Sequence, residues 1–190
     1  HSILQSTTSI KDLVKITAKE KMPAVALTDS GNMMAAFHFV QAVQGHNKEA
    51  EAKNKEAEEK GETPTETLIK PIIGCEFNIC ENHLDKTRQD NGYQVVILAK
   101  NKQGYHNLTK MASIASTKGF YYVPRIDKAI VEQYKSDLIV LSGGMNGEVP
   151  SKILNVGTKQ AEEALLWWKE QFGEDFYLEG MRHNQEDENR

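Results

Sequence analysis

Pro23-Ala-Val-Ala-Leu-Thr-Asp-Ser-Gly-Asn32 decides how this chain is read. A short apolar run ends in Thr28 and Asp29, and Ser30 and Gly31 then open an amphipathic stretch. A strand that stops at a carboxylate just before a helix is a βα corner, and parallel α/β folds build their functional sites from such corners.

Similar signals recur on both sides. Upstream, Ser9 with Asp12 three residues on predicts a capped helix over 9–21, with Ile10, Leu13, Val14 and Thr17 on one face. Downstream, a helix is expected from near Asn32, turning Met33, Ala36, Phe37, Val40 and Val43 inward. Strands are expected over 71–79, 93–99, within 137–142 and over 176–179. Helices are expected over 102–117, capped by Asn101, then up to Tyr134, and over 158–172. In the strand at 71–79, Ile73, Cys75 and Phe77 share one face, and Gly74, Glu76 and Asn78 the other. This alternation predicts a parallel sheet with helices outside. An eight-fold barrel needs ~250 residues, and this chain has 190 and offers about five strands, so the expectation is a single-domain, incomplete or distorted barrel over 1–190.

The stretch 46–67 differs from the rest. It is nearly all Glu, Lys, Ala and Asn and carries no large apolar residue, and its Glu-before-Lys pairs at i, i+4 predict a solvated helical insertion that breaks at Gly61 and Pro64. The net charge of −4 argues against a main duplex-binding surface, which carries excess Lys and Arg. No run approaches the ~18–20 apolar residues of a membrane helix, and no membrane partner is expected. Cys75 and Cys80 share one strand-like segment and form no disulfide framework, so the expected compartment is the cytoplasm.

Asp29, Glu76 and His183 each sit at or near a strand end and are the candidate metal ligands. Each also has a plainer reading. Asp29 could cap the next helix, Glu76 could pair with a lysine, and His183 could be an exposed tail residue. His38, His46 and His106 read as surface residues, and His83, in a polar loop, is a lesser ligand candidate. Phe120-Tyr121-Tyr122 could stack on bases, although such rings more often pack between strands or against a neighbouring domain.

Residues 22–33, together with Lys-Pro-Ile-Ile-Gly-Cys-Glu (70–76), 98–108, Gly-Phe-Tyr-Tyr-Val-Pro-Arg-Ile-Asp (119–127), 141–150 and Phe-Tyr-Leu-Glu (176–179), resemble in order the hallmarks of one family. It is the amino-terminal polymerase-and-histidinol-phosphatase (PHP) domain of bacterial DNA polymerase III alpha subunits, and the 46–67 insertion looks like the Bacteroidetes version. The resemblance implies a distorted seven-stranded β/α (TIM-like) barrel, incomplete at both ends here. It implies DNA-directed DNA synthesis by the parent chain, with DNA met through that chain. The implied partners are the other polymerase domains and the proofreading exonuclease subunit.

The family's metal site can carry 3′–5′ exonuclease activity. Carried over by position, Asp29, Glu76 and His183 match family ligands, while Ser30, Gln94 and Gly144 stand where the family has His, His and Cys. The family's His-x-His pair has no match, and its Asp-x-His segment would fall after Arg190. The expectation is therefore a degenerate site with no catalytic residue. No tightly bound cofactor is expected, with Zn, Mn or Mg the candidates for any residual occupancy. An active metal-dependent exonuclease or pyrophosphatase is the alternative.

Overall fold

The computed structural model describes residues 6–180. Six α-helices and six strands follow one another among them. They are α1 (Ile10–Lys19), β1 (Ala24–Ser30), α2 (Ala36–Glu59), β2 (Lys70–Cys80), β3 (Tyr93–Ala99), α3 (Lys102–Thr117), β4 (Arg125–Asp127), α4 (Lys128–Tyr134), β5 (Leu138–Leu141), α5 (Glu148–Asn155), α6 (Thr158–Phe172) and β6 (Phe176–Tyr177). The strands pair in the linear order β1-β2-β3-β5-β6, with β4 also on β2.

The expected parallel sheet is corrected to a mixed one. β2 and β3 run antiparallel, as do β3 and β5, whereas β2–β4 and β5–β6 are parallel. The reason lies in the connection 81–92, which contains no helix. A parallel return needs a crossover, and a loop without one turns the chain straight back.

Two compact units divide the chain. One takes the residues up to Asp29 with Met34–Ile73, and the other takes Ser30–Met33 with the residues from Gly74 onward. In the first, Ser9 Oγ accepts the Asp12 N–H at 3.1 Å and donates to its carboxylate at 2.6 Å, so α1 starts at a side-chain cap. Val14, Phe39, Val43 and Ile69 form the core. Phe37, expected inward, is 67 % exposed, and Phe39 is buried instead. The helix begins at Ala36, and its inward stripe is Ala36, Phe39, Val43 and Ala50.

α2 runs unbroken into the charged stretch, and an extended segment returns along it. Asn47 donates to the Ile69 carbonyl and accepts its N–H, at 2.8 and 2.9 Å. Asn54 does the same to Glu66 at 2.9 and 3.0 Å, and the His46 ring donates to the Thr67 carbonyl at 3.1 Å. The two asparagines are two helical turns apart, about 10.5 Å of rise. Residues 66 and 69 are three extended residues apart, about 10 Å. The two repeats therefore match, and each amide meets a backbone pair in register.

The second unit packs α3, α4 and α6 against the sheet around Phe77, Ile97, Leu108, Met111, Ile126 and Trp168. Trp168 stacks on Phe172 and Phe176. Asn101 caps α3 by accepting the N–H groups of Gln103 and Gly104. α5 was not expected from the sequence. Pro150 hides it by sitting in the first turn, where its missing N–H breaks no intrahelical bond. Phe120 and Tyr122, expected to pack between strands or against a neighbouring domain if not to stack on bases, are 52 % and 63 % exposed, so they do not pack between strands of this chain.

Candidate functional site

Asp29 lies near the end of β1 in the first unit and is 9 % exposed. Glu76 lies in β2 of the second unit, half-buried. His183 lies outside the described residues.

The turn after β1 is tied to β2. Ser30 Oγ donates to Glu76 Oε1 at 2.7 Å, and the Gly31 N–H donates to the Glu76 carbonyl at 2.8 Å. The Cys75 thiol reaches the Asn32 carbonyl at 3.5 Å. Gly31 has φ +67° and stands against Pro124, where an added Cβ would come within 3.1 Å of the ring. That combination explains glycine here, since other residues pay for the left-handed region.

Strand register then sets the remaining positions. Asn78 is opposite Gln94, and Glu76 is opposite Val96. Side chains alternate along a strand, so Glu76, Asn78 and Gln94 share one face while Phe77, Ile79 and Val95 turn into the core. Each polar side chain on that face has a partner. Asn78 donates to the Pro124 carbonyl at 3.1 Å, and Gln94 Oε1 accepts from the Asn146 amide at 3.0 Å. Gly144 contributes only backbone, its carbonyl accepting the Gly147 N–H at 2.7 Å. The turn here needs Gly143, which has φ +77° and whose added Cβ would meet the Gln94 carbonyl oxygen at 2.2 Å. Among the described residues no group of three or more His, Cys, Asp or Glu is spaced to hold a metal ion.

His83, the lesser ligand candidate, is engaged elsewhere. Its ring Nδ1–H donates to Asp127 Oδ2 at 2.5 Å, and its backbone N–H donates to the same oxygen at 3.2 Å. Asp127 Oδ1 accepts the Ile130 N–H and caps α4. Burial pushes the Asp127 carboxyl up, but the hydrogen bonds from His83 and Ile130 outweigh it and hold the group below its ordinary value.

Arg125 is fully buried. It donates to the carbonyls of Gly119 (3.0 Å), Asp90 (2.8 Å), Asp85 (2.9 Å) and His83 (3.5 Å) and lies over the Tyr121 ring. Sequence reasoning missed it, because an arginine after a proline in a polar-aromatic run gives no sign of burial. The ion-paired Glu148 was missed as well, although its i, i+4 spacing to Lys152 is a readable signal.

A family model described as PHP domain matches residues 1–183. The chain is 37 % identical to the DNA polymerase III subunit alpha of Borreliella burgdorferi, over 99 % of this chain and 15 % of the relative. It is 34 % identical to that of Chlamydia trachomatis, over 99 % and 14 %, and 29 % identical to that of Deinococcus radiodurans, over 96 % and 13 %. It thus spans about one-seventh of the length of these curated relatives.

Proposed function

We propose that this chain, which belongs to the PHP domain family, is the PHP domain of a DNA polymerase III alpha subunit and serves it as a structural module. The similarity to alpha subunits over nearly the whole chain supports this reading. On it, nucleotide addition is done by carboxylates elsewhere in the parent chain, and this domain packs against the other polymerase domains and the proofreading subunit. DNA is met through the parent. On this reading the fold is the family's distorted seven-stranded barrel, although the described residues form a six-stranded mixed sheet that is not closed.

The side chains standing at the family's ligand positions do not fit a cluster of two or three metal ions. The observation that carries this is the Ser30–Glu76 hydrogen bond at 2.7 Å, in which a neutral hydroxyl at a family histidine position binds the one matching carboxylate of that strand. Gln94 is likewise engaged by Asn146, and Gly144 offers no side chain. A catalytic metal needs several protein donors and an open position. Asp29, Glu76 and His183 cannot close two or three such shells, so we assign the site no hydrolytic step.

The test is elemental analysis of the dialysed chain together with a labelled-primer assay. The expected result is less than stoichiometric zinc, manganese or magnesium and no loss of primer ends. In the full-length subunit, Glu76→Gln should leave primer extension unchanged. Stoichiometric metal with primer degradation would overturn the reading in favour of an active phosphoesterase.

A further inference from the structure

A cavity of about 700 Å³ opens between the 81–92 loop and the start of α5, lined by Arg88, Asn91, Tyr93, Lys128, Glu148 and Lys152 among others. Tyr93 is on the opposite strand face from Gln94, and none of Asp29, Ser30, Glu76, Gln94 and Gly144 lines the cavity. Its size is that of a small-ligand site.

One wall is built around a buried carboxylate. Glu148 is 4 % exposed. Its Oε2 accepts the Trp168 indole N–H at 2.8 Å. Its Oε1 accepts both Lys128 Nζ at 2.9 Å and Lys152 Nζ at 2.7 Å. Burial pushes the Glu148 carboxyl up, but hydrogen bonds from Lys152 and Lys128 more than reverse it, so the group stays ionised at neutral pH.

A buried carboxylate is neutralised by one ammonium. Here two ammonium groups converge on a single oxygen and leave one positive charge over. Each ammonium has three N–H donors, of which the Glu148 bond takes one. Lys128 also lies 4.5 Å from the Trp167 ring centre and Lys152 5.8 Å from that of Tyr93, so aromatic faces hold both in place. Their side chains remain 32 % and 23 % exposed. The negative groups across the cavity have partners of their own, and the Asp90 carboxylate keeps its charge near the buried Arg125 guanidinium, which donates to the Asp90 carbonyl. Glu81 pairs with Arg88, and the Asp90 oxygens accept the N–H groups of Glu81 and Gly92.

We infer that the Lys128–Lys152 pair, fixed by Glu148, is a binding site for a phosphate monoester, whose dianionic head would bridge the two ammonium groups. Lysine ammoniums bind phosphate as point charges, and two on one oxygen lie close enough for one phosphate to reach both. This site is independent of the structural role proposed above, and its failure would leave that reading untouched.

The chain's two tryptophans, Trp167 and Trp168, both stand beside Lys128, so intrinsic fluorescence reports on the site. The chain is titrated with inorganic phosphate, deoxyribose 5-phosphate and deoxyribose, against sodium chloride at matched ionic strength. Both phosphates are expected to give a saturable change, and deoxyribose and chloride none. Tighter binding of the monoester assigns the rest of the cavity to its organic part, whereas binding of inorganic phosphate alone overturns the monoester.

Lys128→Met and Lys152→Met should each weaken binding about tenfold or more, while Lys100→Met, which removes an exposed pair with Asp175, should not. Glu148→Gln should also weaken binding, because an amide NH2 cannot accept from the Trp168 indole or from the ammonium groups, and the lysine pair loses its common anchor. A wild-type chain with no phosphate-specific change overturns the proposal without any variant. Methionine variants that keep the native circular dichroism and the native affinity also overturn it.

Discussion

The segments 62–67 and 81–92 pose the same problem and solve it differently. Both are polar, and neither has the apolar surface to hold itself in place. The first is held mainly by neutral amides, Asn54 on Glu66 and Asn47 just beyond on Ile69, each making a two-way bond to backbone at a part-buried position, with the His46 ring on Thr67 between them. The second is held by charge, the buried Arg125 guanidinium on three of its carbonyls and the Asp127 carboxylate on His83. A lost amide clamp leaves backbone groups that water can reach. A lost guanidinium strips four carbonyls at once, and those of Gly119 and His83 are bonded at buried positions. The energetic scale should differ accordingly, because a buried group without a partner costs its full desolvation.

The largest effect is expected from Arg125→Met. Removing one centre that serves four carbonyls should cost about 3–5 kcal/mol in chemical denaturation. It should also free the 81–92 loop before global unfolding. Cys80 supplies the local readout. Burial pushes its thiol up to about 11, with Arg125 pulling it partly back, and the thiol reaches the Ile126 carbonyl at 3.3 Å. In the native chain Cys80 should resist alkylation at neutral pH, and in the variant it should label at sub-denaturing urea. Equal stability and equal labelling would show that the guanidinium is not what holds the loop.

Acid should separate the two segments without any mutation. The Asp127 carboxyl is held below its ordinary value of 3.8 in the folded chain. Its contribution is therefore fully present above that value and is lost as the pH falls through the lower folded one. The asparagine clamps carry no titratable group. Hydrogen exchange followed downward from pH 5 should show the His83 amide losing protection while the Ile69 amide keeps it. Simultaneous loss at both would mean that the whole chain titrates as one, and the contrast between the segments would fall.

How much of this was legible follows the same division. The elements with a period or a cap were readable. Ser9 and Asn101 act as caps, and 93–99, 102–117 and 158–172 form where the pattern places them. Polar side chains acting at long range were not. Nothing near Arg125 in sequence announces that it will meet the carbonyls of Asp85 and Asp90, and nothing in Asn47 and Asn54 distinguishes them from helix-surface residues until the returning strand is known. Strand direction follows from a feature that carries no periodic signal, the helix-free connection 81–92, which turns β3 back antiparallel on β2. At the candidate site, Glu76 and Gln94 follow from alternation. The Ser30 bond to Glu76 does not, because it joins residues 46 positions apart.

The smallest expected effect is the one that defines the amide side of the comparison. Asn54→Ala removes two hydrogen bonds, but both are part-buried and both backbone partners can turn to water, so the loss should be about 0.5–1.5 kcal/mol. Hydrogen exchange should show the Glu66 amide unprotected and the Ile69 amide unchanged, because Asn47 still holds the latter and Ile69 is itself 1 % exposed in the core. Asn47→Ala should cost somewhat more, as its partner is anchored in apolar packing. If the clamps are separate contacts matched only by the repeat of helix and strand, the two losses add in the double variant. If Asn54→Ala strips protection from Ile69 as well, the clamps form one cooperative unit. The returning segment would then be held as the arginine holds its loop, from a single point, and amide and guanidinium would differ in strength but not in kind.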